Sequence, residues 1–393
     1  MNRTLTGGWI LASLVLIVAS AGAGDWPMFH GQPNAVGYTE ETVYPPLQIR
    51  WQFRTSAGIY FTPAVVNGIV YIGCEDYNVY ALNADTGELR WAFHTEGEVF
   101  SGPAVSQGMV YVGSTDRTLY ALDAKTGKLV WKYPVDGPIY CSPLVFEGLV
   151  YVGTGESPTL FALDAKTGEL RWTFLMGARL GSALAAADGA VYAGSYDKTL
   201  YALDARTGTE KWSFAADNIV DSCPLVANGV VYFKTPDDSV YALDADTGQQ
   251  QWRYLPEVPA AEPGQPVNWS PLALAHGLLY FGSVDKHLYA LEAATGQLKW
   301  RFEAGDEVAS APTIAGDVAY FGTKDGTLYA LDARMGQLLW RRQPEEPATR
   351  GFLRGIMWPP AVVEGRVYVS SEEGVLYAFN GQREPPVPAL PAE

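Results

Sequence analysis

Eight evenly spaced tryptophans, a short motif repeated ahead of seven of them, and dense turn residues predict an all-β chain. They point to an eight-bladed β-propeller of four-stranded antiparallel blades. From Trp51 the tryptophans step by 40, 40, 41, 40, 40, 48 and 40 residues to Trp340. The motif is clearest in Tyr120-Ala-Leu-Asp-Ala-Lys-Thr-Gly-Lys-Leu-Val-Trp131. It returns as Tyr80 to Trp91, Phe161 to Trp172, Tyr201 to Trp212, Tyr241 to Trp252, Tyr289 to Trp300 and Tyr329 to Trp340. A fixed period of about 40–45 residues with four short strands per unit marks a propeller. An eighth copy, Tyr377-Ala-Phe-Asn-Gly-Gln, runs out before any tryptophan, and Ile49-Arg-Trp51-Gln-Phe53 supplies the missing strand from the other end of the chain. The N-terminal strand is therefore expected to close the last blade and remove its free edge.

The second unit shows how one repeat yields four strands. Gly102-Pro103-Ala-Val-Ser is the inner strand, expected to line the central channel. Met109-Val-Tyr-Val-Gly113 alternates as a half-buried strand does. Thr118-Leu-Tyr-Ala-Leu122 is the third, and Lys128 to Tyr133 the outermost. Gln107-Gly108, Ser114 to Arg117 and Asp123 to Gly127 are the turns, with Asp bonding backbone amides two residues on and Gly taking the left-handed conformation. The repeated Asp, Thr and Gly are a scaffold turn, since they recur irrespective of their neighbours.

Each unit ends in its tryptophan (Trp51, Trp91, Trp131, Trp172, Trp212, Trp252, Trp300, Trp340), where neighbouring blades are expected to dock. Full burial of one such side chain removes up to about 250 Å² from water, about 5 kcal/mol as an upper bound. The pattern Ala-x-Asp-x-x-Thr-Gly-x-x-x-Trp resembles the tryptophan-docking motif of the PQQ-like (quinoprotein) propeller repeat, and covers residues 49–380. That resemblance implies one of two roles. One is a PQQ-dependent alcohol dehydrogenase; the other is a non-enzymatic propeller resembling the assembly lipoprotein BamB. The opening Asp25-Trp26-Pro-Met-Phe-His-Gly31 also resembles the lead-in of such proteins.

In chain order, residues 1–23 read as a signal peptide, with Arg3, the apolar run Trp9 to Ala19 and the small residues Ala21-Gly-Ala23. The run is too short to span a membrane, and no cysteine follows the cleavage site for a lipid anchor. Export as a soluble, monomeric periplasmic or extracellular protein is the expectation. Residues 24–48 read as an irregular lead-in, 49–380 as the propeller and 381–393 as a Pro-rich disordered tail. A formal charge of −16 argues against nucleic acid and anionic membranes as partners.

Cys74, Cys141 and Cys223 are odd in number, and Cys141 and Cys223 belong to the third and fifth units, which are not neighbours. Small buried hydrophobes are the reading given to them. His30, His94, His276 and His287 fall at four different repeat positions, so no metal site is expected. No catalytic constellation is recognisable.

Function is expected where the repeat is broken. From tryptophan to the first-strand proline (Ala183 in the fourth unit) the chain takes 11 or 12 residues in six units. It takes 19 from Trp252 to Pro271 and 20 from Trp340 to Pro360. The two long loops, 253–268 and 341–357, precede off-pattern Trp269 and Trp358, where other units carry Phe61, Ser101, Cys141, Gly181, Ser222 and Ser310. Trp269 and Trp358 at the channel mouth, with Arg350, Arg354, Asn268, Asp221, Phe61 and Cys141, form the candidate ligand or partner site. A protein or peptide partner in the cell envelope is expected and no cofactor. The alternative implied by the resemblance is a PQQ-dependent dehydrogenase, with the quinone stacked on a channel tryptophan beside calcium. Against it, that family's vicinal cysteine pair has no counterpart here, and Asp221 is the sole acidic residue among the aligned inner positions.

Overall fold

The computed structural model describes residues 25–256, 270–343 and 355–382. The described residues form eight sheets, the expected eight-bladed propeller. Blade 1 is Ala64–Val66, Ile69–Gly73, Asn78–Asn83 and Leu89–His94, each strand antiparallel to the next. The following units repeat it. Blade 8 holds Ala361–Val363, Arg366–Ser371 and Val375–Gln382, and its outermost strand is the N-terminal Tyr44–Arg54. Trp51 there stands opposite Ala378 and Phe53 opposite Leu376. The closing strand thus starts at Tyr44, ahead of the expected boundary at 49. Blade 7 carries an addition no repeat predicts: Tyr38–Thr39 runs parallel to its inner strand, pairing with Ile314 and Ala315.

Local chemistry explains the regularity. The turn from inner to second strand is a two-residue hairpin with both residues at positive φ, as at Gln107 (49°) and Gly108 (78°). That conformation matches the strand twist. The third-to-outer turn begins with an aspartate whose carboxylate collects the amide of the residue three on, as Asp123 does from Thr126 at 2.8 Å.

The same turn receives the previous blade. The Trp91 indole donates to Ala124 O at 3.0 Å, and the Tyr71 phenol donates to the same oxygen at 3.1 Å. Trp131 and Tyr111 meet at Ala165 O, Trp172 and Tyr151 at Ala205 O, and Trp51 and Tyr368 at Ala84 O across the closure. The turn glycine lies flat against the indole: a Cβ on Gly127 would sit 2.6 Å from Trp91. Gly is therefore required twice over, by φ and by contact. Burial is less complete than the sequence suggested. Trp51, Trp91 and Trp172 are buried, while the other five docking tryptophans are half-exposed at the rim, so each contributes less than the 5 kcal/mol bound.

The lead-in is held by the ring. Residues Trp26 to Gly37 thread the central channel and bond to the inner strands of six blades. Val65, Val105, Ala186, Val226, Leu274 and Ile314, each the middle residue of its inner strand, donate their N–H to the carbonyls of Trp26, Pro27, Pro33, Asn34, Val36 and Gly37, at 2.7–2.9 Å. Inner strands face the channel with unpaired amides, and buried amides require partners; the lead-in supplies them. Trp26, Met28, Phe29, His30 and Ala35 are buried in the process.

Two outcomes test this account. Removing residues up to Arg54 strips both the closing strand and the channel segment, so the truncated chain is expected to aggregate or unfold. A truncation as stable and monomeric as the intact chain would refute the closure. Trp131→Ala is expected to cost about 2–4 kcal/mol in urea unfolding, and Tyr111→Phe about 1. Because both donors share Ala165 O, the double variant should differ measurably from the sum of the two.

Candidate functional site: an aromatic cavity at one mouth of the ring

The loops that join an outer strand to the next inner strand share one face with the second-to-third-strand loops. At this face a cavity of about 330 Å³ opens into the ring. Its lining comes from blades 1, 2, 3, 4, 5 and 8, and Phe29 of the threaded lead-in reaches it from within. Blades 1, 2 and 3 place Tyr60, Phe100 and Tyr140 at equivalent positions. Their rings form an arc, with centroids 5.1 Å apart for Tyr60–Phe100 and 5.9 Å for Phe100–Tyr140. Opposite them Phe61 and Trp358 stack at 4.0 Å with planes 17° apart, and Phe29 meets Phe61 edge-on at 5.7 Å.

Phe61 holds a strained backbone, φ 74°, outside the range comfortable for a bulky residue. It is fixed from both sides: its carbonyl accepts from Ser370 Oγ at 2.8 Å, and Thr62 Oγ1 donates to Pro359 O at 2.8 Å. These bonds tie blade 8 to blade 1 beneath the stack. The Trp358 indole nitrogen is buried and has no hydrogen-bond partner among the described residues.

Blade 4 supplies the cation. Arg179 lies with its guanidinium 4.1 Å from the Tyr196 ring centroid and makes a long hydrogen bond to Gly155 O at 3.5 Å. No carboxylate is among the described residues that line the cavity. Cys141 and Cys223 line it too; burial pushes the Cys141 thiol up to about 12 and also raises that of Cys223. Both are protonated, weakly reactive thiols at neutral pH, and all three cysteines are unpaired. Cys141 and Cys223 sit in the loops before the inner strands rather than on them.

Of the eight residues expected at the mouth, Phe61, Cys141 and Trp358 come together around this cavity. Asp221 does not line it. It is fully buried behind the wall, both carboxylate oxygens without a hydrogen-bond partner. Burial raises its pKa to about 7, and Lys234 pulls it down. Asn268, Trp269, Arg350 and Arg354 lie outside the described residues.

The alignment of two units also shifts by one residue. Ser101, Ser222 and Ser310 bond through Oγ to the last residue of the following strand, twelve positions on, and in blade 6 Ser270 does so with Gly282. Ser270 therefore occupies the column assigned to Trp269, and Leu272 the proline position. Blade 4 behaves alike, with Leu184 ahead of its inner strand Ala185–Ala187.

Sequence reasoning missed Arg179, Tyr196, the Tyr60–Phe100–Tyr140 arc and Lys234. Lys234 stands where six blades have a glycine (Gly73, Gly113, Gly153, Gly194, Gly282, Gly322) packed against the next loop. It is fully buried and pairs with Asp238 at 2.5 Å. That departure was readable in the repeat.

His30 and Asp221 make the protein's acid response testable. Burial lowers the His30 pKa to about 3, partly offset by the Ala35 backbone. Below an unfolded pKa of about 6.5 only the unfolded state takes that proton, so His30 costs stability on acidification, by about 1.4 kcal/mol per pH unit down to about 3. Asp221 works oppositely: between pH 7 and about 4 the folded state holds a proton that the unfolded state releases. Urea titrations at pH 7, 5.5 and 4 should show His30→Gln gaining on the wild type as pH falls and Asp221→Asn losing ground. Parallel curves for all three proteins would contradict both assignments.

Comparisons with known proteins agree with this fold. A family model described as "Outer membrane protein assembly factor BamB" (PQQ_2) matches residues 47–99, 75–179, 159–267 and 258–383. No curated protein matches the chain. Among solved structures, the quinohemoprotein alcohol dehydrogenase from Comamonas testosteroni superposes with a TM-score of 0.79 at 19% identity, over 95% of this chain and 83% of that one. A europium-containing methanol dehydrogenase gives 0.78 at 17%, over 91% and 98%. BamB from Moraxella catarrhalis gives 0.70 at 20%, over 85% and 99%. At such identities these likenesses concern the fold alone.

Proposed function

Because the chain belongs to the PQQ-like repeat family whose model is described as outer membrane protein assembly factor BamB, we propose that it is an exported, non-catalytic binding protein. In this reading the monomeric ring is a rigid scaffold in the cell envelope, and the mouth carrying the aromatic cavity receives a ligand or a protein or peptide partner. The observation that carries the proposal is the lining itself: aromatic rings from blades 1, 2, 3, 4 and 8 around one opening, with a single cation and no carboxylate among the described residues. Rigid aromatic surface at a concave site is the composition of binding hot spots. Among the described residues no helix is long and apolar enough to cross a membrane.

The second reading, a PQQ-dependent dehydrogenase, draws on the alcohol dehydrogenase and methanol dehydrogenase likenesses. A calcium-bound quinone needs hard oxygen ligands. Among the described residues no group of three or more His, Cys, Asp or Glu side chains is placed to hold a metal, and Asp221 is not among the lining residues, both its oxygens being buried. This distribution of oxygen donors supports the first reading over the second.

Two measurements separate the readings. Purified protein mixed with PQQ and Ca²⁺ should leave the quinone spectrum unchanged and should not support dye-linked alcohol oxidation; turnover would establish the dehydrogenase. In cross-linking captures from envelope extract, Phe61→Ala and Trp358→Ala are expected to lose partners that the wild type holds. Lys128→Ala and Glu169→Ala, on the outer rim, should retain them. The reverse pattern would move the binding face to the rim.

A further inference from the structure

We propose that the cavity takes a small monoanion with an apolar or aromatic body, its carboxylate held by Arg179 and its body lying between the Tyr60–Phe100–Tyr140 arc and the Phe61–Trp358 stack. This rests on the cavity being the binding site and adds the chemistry of what enters it. The charge argument is direct. In a chain of net charge −16, the one charged side chain lining the cavity among the described residues is a cation. Arg179 has no carboxylate within salt-bridge distance among the described residues. Its guanidinium meets the Tyr196 ring face and makes one long hydrogen bond to Gly155 O, which leaves N–H groups for a carboxylate. Stacking on Tyr196 holds the fork in place, so little ordering entropy is lost on binding.

The rest of the lining is consistent. The Trp358 indole N–H in that lining lacks a partner among the described residues, while the Ser182 hydroxyl and the Cys223 thiol already donate to backbone carbonyls. A volume of about 330 Å³ suits one small ring system rather than a folded segment, at the low end of ligand pockets, about 300–1,000 Å³.

A cationic guest is the competing chemistry, because Glu75, Glu98 and Glu372 all act on the Tyr60 phenol and help raise its pKa to about 12, after burial itself. None of the three lines the cavity. Glu75 is already engaged, accepting the Gly58 N–H at 3.2 Å. The glutamates are therefore neighbours of the rim, and Arg179 is the charge the guest meets.

Three near-isosteric probes decide the sign: indole-3-acetate (anion), indole-3-acetamide (neutral) and tryptamine (cation), titrated calorimetrically into the full-length protein. Indole-3-acetate is expected to bind about ten-fold tighter than either other probe, the effect of one charge-assisted contact. Arg179→Gln should abolish that preference while leaving the acetamide within about two-fold, and Arg179→Lys should keep part of it. Trp358→Ala should weaken all three. Preference for tryptamine, equal binding of the three, or an unchanged preference in Arg179→Gln would each overturn the proposal while leaving the cavity reading standing. No binding of any probe would also overturn it, and the envelope captures described above would then judge the binding face independently.

Discussion

The ring depends on one repeated contact, two side chains of one blade meeting a single carbonyl in the turn of the next. Trp91 and Tyr71 at Ala124 O, or Trp51 and Tyr368 at Ala84 O, bring an indole N–H and a phenol O–H to one acceptor with two lone pairs. A backbone carbonyl left unpaired at a buried edge is costly, and two donors satisfy it fully. The contact also sets the spacing of the blades. The indole lies on the turn glycine with no room for a Cβ, so the next sheet cannot slide without clashing. Specificity of position, more than area buried, is what the tryptophans contribute, since five of the eight remain half-exposed.

Closure follows from the same geometry. Trp51 belongs to the N-terminal strand yet docks on blade 1 through Ala84 O, as Trp91 docks on blade 2 through Ala124 O. The chain ends are thus joined both by a ladder, Tyr44–Arg54 on Val375–Gln382, and by an interface like the others. The lead-in then uses the chain that precedes the closing strand. Inner strands converge on an axis where no sheet can pair with them, and the six carbonyls from Trp26 to Gly37 answer the six amides that point there. Fold and lead-in form one hydrogen-bonded unit.

How much of this the sequence reveals depends on what kind of signal each feature leaves. Periodic features are plain: the eight units, the four strands of each and the closure at Trp51 follow from spacing alone. The channel course of residues 26–37 leaves no such signal, because its bonds are made by backbone carbonyls and any residue has one. The mouth lies between these cases. Trp358 and Phe61 stand out as bulky residues in a column of small ones, but alignment on the first-strand proline fails where Leu184 and Leu272 replace it. With the column moved by one residue, Tyr60, Phe100 and Tyr140 fall into line, and the residue of blade 5 beside them is Asp221. Arg179 and Tyr196 come from different loops of blade 4 and meet only in three dimensions.

The placement of the cavity follows from the way the ring is filled. The lead-in crosses the inner strands at their middle residues and packs Phe29 toward the mouth, so the channel has a floor and one of its two faces carries the opening. On that face the repeat is least uniform. Its loops hold the strained Phe61 and the replacement of glycine by Lys234 with its buried partner Asp238. The opposite face carries the Asp-x-x-Thr-Gly turns, nearly identical from blade to blade, and in blades 1 to 6 the turn accepts an indole and a phenol on one carbonyl. Docking constrains one face of every blade and leaves the other free to vary. A binding site in such a ring therefore gathers at the unconstrained mouth, from residues that the repeat itself does not specify.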